Sequence, residues 1–130
     1  MRWGFTIPGG APSVNGMYKP TVKEGVRSDG VAYTVKAITK REEVKVWQAS
    51  VVPVIRAARP RGWNPPGQVR IVFRFYLQHD ADADNLLKAL NDCIQAATGI
   101  NDKRYLPCVE LKQSGVAPSK ARIEVDVVDL

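Results

Sequence analysis

The sequence predicts an α+β fold: a small, mainly antiparallel or mixed sheet of about four strands, with two helices on one face. Three observations predict it. Residues 2–7, 69–77 and 121–128 alternate apolar and polar side chains, the period of a half-buried strand, and 107–113 reads as a further strand. Residues 40–58 and 84–97 instead repeat apolar side chains at helical spacing. The chain of 130 residues suits one domain, with too little material for a second core.

The elements follow in order. Trp3, Phe5 and Ile7 share one side of the opening strand, and residues 8–16 (PGGAPSVNG) are turn formers. Asp29-Gly30 is a hairpin turn signal between Val26 and the run Val31, Tyr33, Val35, so residues 17–36 read as an exposed basic hairpin or flexible flap. Thr39 and Glu42 have capping-box spacing, and Val44, Trp47, Val51, Val54, Ile55 and Ala58 follow on one helical face. This predicts a helix over 40–58, kinked or broken near Pro53, which removes a helix hydrogen bond. Residues 59–68 form a Pro/Gly-rich connection to the strand over 69–77, whose Val69, Ile71, Phe73, Phe75 and Leu77 face the core. A second helix over 84–97 buries Leu86, Leu87, Leu90, Ile94 and Ala97 and ends at Gly99. The last two strands, with residues 114–120 between them, suggest a hairpin.

No apolar run is long enough to span a bilayer, and the N-terminus lacks the continuous apolar core of a signal peptide. The expected location is cytoplasmic, and Cys93 and Cys108 are expected to be reduced there. With one histidine, His79, a Cys/His zinc site is disfavoured. Residues 1–70 hold 12 Lys/Arg against 4 Asp/Glu, or +8, and residues 71–130 hold 7 against 9, or −2. A basic half points to a polyanionic partner or to a solvated basic face. In the acidic half, Asp80, Asp82, Asp84, Asp92 and Asp102 fall within 23 residues.

Asp82 and Asp84 sit two apart where a strand hands over to a helix. Either alone suits a helix N-terminus, and Asp84 reads equally as an N-cap. Together, with Asp80 close by, they repel one another, and a hard divalent cation relieves that repulsion. Asp102, beyond the Gly99 turn, is expected to fold back beside them, giving three carboxylates for one or two Mg²⁺ ions. Lys88, four residues after Asp84, is either an ordinary ion-pair partner or a cation for a scissile phosphate, and Asp92 orients or pairs with it.

The run Asp82-Ala83-Asp84-Asn85-Leu86-Leu87-Lys88, then Asp92, then Gly99-Ile100-Asn101-Asp102, resembles the RusA family of Holliday-junction resolvases. The family pattern is D-x-D-N-x-x-K, a helix carrying a further Asp, and an acidic pair before a strand. Residues 5–15 (FTIPGGAPSVN) are similar to the family's opening strand and its P-S-x-N loop, and Lys112 stands where the family often has a lysine. The resemblance covers about half the chain, chiefly 5–15 and 71–113.

The resemblance implies a homodimeric, Mg²⁺- or Mn²⁺-dependent endodeoxyribonuclease that nicks four-way DNA junctions in pairs, with no nucleotide cofactor. The family's metal-binding aspartates fall on Asp82, Asp84 and Asp102, and its essential lysine on Lys88. Asn15, Lys19, Lys23, Arg27 and Lys112 are the candidate DNA contacts. Two departures stand out. His79-Asp80-Ala81 occupies a place where the family often has basic residues, and Asn101 replaces the first acid of the usual pair. Two rival functions remain: a junction-binding module with weak or lost nuclease activity, and a less selective flap or fork nuclease. Among the remaining residues, His79 is more often structural than a general base, and Trp63 either packs its loop or stacks on a base.

Overall fold

Four strands and two helices enclose one apolar core in the computed structural model, which describes residues 1–9, 18–40 and 42–130, with side chains over 1–9, 25–32 and 42–130. The strands are β1 (Arg2–Pro8), β4 (Val69–Tyr76), β5 (Tyr105–Gln113) and β6 (Arg122–Asp129), in spatial order β1-β6-β4-β5. The helices are α1 (Glu42–Ala58) and α2 (Ala83–Thr98). A separate two-stranded sheet joins β2 (Tyr18–Val26) to β3 (Ala32–Lys40). The predicted α+β fold, a four-stranded mixed sheet with two helices, is the fold observed.

Alternation builds the core. Trp3, Phe5 and Ile7 of β1, Ile71, Phe73 and Phe75 of β4, and Ile123, Val125 and Val127 of β6 are buried on one face. Val44, Val51 and Ile55 of α1 and Leu86, Leu90 and Ile94 of α2 close over that face. Gln48 Nε2 donates to the Ala89 carbonyl at 2.9 Å, tying the helices together. Trp63 belongs to this core: it meets Trp3 edge to face at 5.2 Å, and its Nε1 donates to Asp129 at 3.2 Å. The opposite face of the sheet carries an ionic ladder, in which Arg74 reaches Glu124 at 3.1 Å and Asp126 at 3.0 Å, and Arg2 reaches Asp126 at 2.6 Å.

Several sequence expectations need correction. β5 and β6 do not form a hairpin: β4 lies between them, antiparallel to β6 and parallel to β5. The crossover helix α2 makes the parallel pairing possible, since it returns the chain to the starting end of the sheet. Helix α1 begins at Glu42 rather than Lys40, because Thr39 and Lys40 belong to β3, paired opposite Lys19 and Tyr18. The helix also runs through Pro53 without a break. Pro53 is exposed, so water can satisfy the carbonyl that it leaves without a donor. The Asp29-Gly30 turn is as expected, with Gly30 at φ 85° and the Arg27 amide donating to the Val31 carbonyl at 2.9 Å.

Candidate functional site

The topology decides which acids can meet. β4 and β5 run parallel, and their C-terminal ends, Tyr76 and Gln113, lie side by side. Arg122 and Pro8, at the end of β1, complete this end of the sheet. The connection from β4 to α2 crosses here and carries Asp80 and Asp82, with Asp84 following in the first turn of the helix.

Asp82, not Asp84, is the N-cap of α2. Its backbone is extended, at φ −70° and ψ 118°, and its Oδ1 accepts the Asp84 amide at 2.9 Å. Asp84 lies in the first helical turn, where its charge faces the positive end of the helix dipole. Both carboxylates are exposed. Lys88 follows one turn later and is also exposed.

Asp80 makes its own arrangement. Its Oδ1 receives Lys112 Nζ at 3.1 Å and Ser114 Oγ at 3.2 Å. Lys112, then Ser114 and the Ala81 amide, hold the Asp80 carboxyl below its ordinary value. The backbone is stitched at the same place: the Leu77 amide donates to Gln113 at 2.8 Å and the Val116 amide to Leu77 at 3.0 Å. Ser114 carried no signal in the sequence, because nothing there showed that the residues after β5 return to the β4–α2 connection.

Asp102 is elsewhere. Helix α2 has 16 residues, which at the helical rise is about 24 Å, and Asp102 follows its far end in a short 3₁₀ turn, Asp102–Arg104. That turn leads into Tyr105, which pairs with Val69 at the opposite end of the sheet. The turn is fixed in place: the Asp102 amide donates to Gln95 Oε1 at 3.1 Å, and Tyr105 Oη donates to the Ile100 carbonyl at 2.8 Å. Asn101 caps the turn by accepting the Lys103 amide at 2.9 Å, a role asparagine fills as well as an acid. The expected folding-back of Asp102 onto Asp82 and Asp84 therefore does not occur within one chain. Among the described residues, no three His, Cys, Asp or Glu side chains converge as a metal set.

Of the candidate DNA contacts, Lys112 stands at the Asp82 end and is paired with Asp80. Arg27 is exposed at the hairpin turn and paired with Asp29 at 3.1 Å. Asn15 and the side chains of Lys19 and Lys23 lie outside the described residues. His79 is exposed. Cys93 is buried, Cys108 is exposed, and neither is in a disulfide. Among the described residues no helix is long and apolar enough to cross a membrane.

The donor pair fits one Mg²⁺. Asp82 spends a single oxygen on capping, and Asp84 adds a second exposed carboxylate. Mg²⁺ commonly takes one or two carboxylates and keeps the rest of its shell as water. Compared with known proteins, the chain matches no family model and no curated protein.

Proposed function

We propose that the protein is a divalent-metal-dependent endodeoxyribonuclease that resolves four-way DNA junctions. The observation that carries this reading is the placement of Asp82 and Asp84. Both are exposed at the N-terminus of α2, at the end of the sheet shared by Lys112, with Lys88 one helical turn away. The resemblance of this segment to the RusA pattern supplies the substrate class.

Asp82 and Asp84 hold Mg²⁺, which when bound supplies an activated water and stabilises charge on the phosphodiester oxygens. Lys88 places a cation beside the developing phosphate charge. Lys112 and the basic first half of the chain hold the DNA backbone, so binding weakens as salt rises.

The distance to Asp102 adds a requirement for a second copy. A two-fold axis that sets α2 of one protomer antiparallel to α2 of its partner carries the partner's Asp102 toward the Asp82–Asp84 end. Two such sites then act on the two strands of a junction. The test is cleavage of an immobile four-way junction with Mg²⁺ by wild type and by Asp84→Asn. The binding-module alternative gains from the same separation, since one chain alone does not assemble three carboxylates. It is the reading to adopt if junctions are bound tightly and never nicked.

A further inference from the structure

The Asp80 cluster lies outside the proposed metal pair, and its chemistry is that of an anion site. One oxygen, Oδ1, takes both Lys112 Nζ at 3.1 Å and Ser114 Oγ at 3.2 Å. An ammonium and a hydroxyl converging on one carboxylate oxygen is a donor set that suits a phosphate oxygen equally. The donors are the better-fixed side of the contact. Lys112 is 32% exposed against 80% for Asp80, and the backbone around them is tied by the Leu77–Gln113 and Val116–Leu77 hydrogen bonds.

We propose that Lys112 Nζ and Ser114 Oγ form a binding subsite for a phosphate oxygen, which the Asp80 carboxylate fills in the free protein. An exposed ion pair is weak, so a backbone phosphate arriving from solvent displaces it. The subsite lies two residues from Asp82 along the chain and so places a DNA phosphate beside the metal pair. Asp80 thereby attenuates binding: its charge must leave Lys112 before DNA can use it. This inference deepens the nuclease reading and rests on it for the nature of the ligand.

The experiment compares wild type, Asp80→Ala, Lys112→Ala and the double variant for binding to a four-way junction across a salt series, without divalent metal. Asp80→Ala is expected to bind several-fold more tightly, with a salt slope steeper by about one. That gain should vanish in the Lys112→Ala background. Weaker or unchanged binding by Asp80→Ala, or a gain that survives loss of Lys112, overturns the proposal. A second readout uses inorganic phosphate alone, followed by the backbone amide resonances of Ala81 and Ser114. They should shift in Asp80→Ala at concentrations that leave wild type unmoved, and the remaining resonances report that the fold is kept. Phosphate shifts in a protein that neither binds nor cuts junctions would refute the nuclease reading and keep the subsite. Cleavage by wild type without such shifts in Asp80→Ala would do the reverse.

Discussion

Asp84 and Asp102 stand at opposite ends of α2, separated by about 21 Å of helix. No side-chain rotation closes that gap. If both serve one metal site, they come from different protomers.

Subunit complementation tests this. Asp84→Asn and Asp102→Asn should each be inactive as homodimers. Mixed and re-equilibrated, half of the dimers pair one of each, and a trans arrangement restores one intact site in every such dimer. Single-strand nicking should return to about a quarter of the wild-type level, counted per site. Complete inactivity of the mixture would place Asp102 outside a shared site.

The ladder on the helix-free face should make stability depend on acid. Arg122 and then Arg74 draw the Glu124 carboxyl below its ordinary value, against the opposing effect of burial. Burial pushes Asp126 up, but hydrogen bonds from Arg2 and Arg74 outweigh it, and its carboxyl also titrates low. Carboxyls lowered in the folded state contribute stability above their unfolded values, about pH 4, and lose it as pH falls through the lowered folded values. Arg74→Met should therefore cost about 1–3 kcal/mol in urea unfolding at neutral pH. The difference from wild type should shrink as the pH falls below about 4 and the two carboxyls are protonated. An equal difference at both pH values would assign the effect to packing of the Arg74 stem.

The amount of the fold legible in the sequence followed the physics of each segment. Alternation in 69–77 and 121–128 and helical spacing in 84–97 reflect burial of one face, and these elements lie where expected within a residue or two. Pairing did not reveal itself. The connection between β5 and β6 has the composition of a hairpin loop, yet β4 separates them, because strand order depends on long-range packing and not on local turn chemistry. Thr39 had a cap's spacing but is engaged in the β3 ladder, a tertiary contact that overrides the local signal. At the candidate site, the Asp82–Asp84 pair and its helix were readable, while the remoteness of Asp102 followed only from where the ends of α2 fall.

At Gly4, β1 comes close to β6, opposite Asp126. A β-carbon there would lie 2.6 Å from the Val125 carbonyl oxygen and 2.7 Å from Asp126 Oδ1. Gly4→Ala should push β1 away from β6 and disturb the carboxylate that Arg2 and Arg74 share. A loss of about 1–3 kcal/mol is expected from the urea midpoint. An unchanged midpoint would mean that β1 moves at no cost.

The proposed role of Asp82 and Asp84 is to form the metal-binding half of a junction-cutting site. Its most direct test is the cleavage of a synthetic immobile four-way junction in Mg²⁺, with junction binding measured in parallel for wild type and Asp84→Asn. The expected result is paired symmetric nicks by wild type, none by the variant, and junction binding by both. Tight binding by wild type with no nicks in Mg²⁺ or Mn²⁺, across several junction sequences, would contradict it.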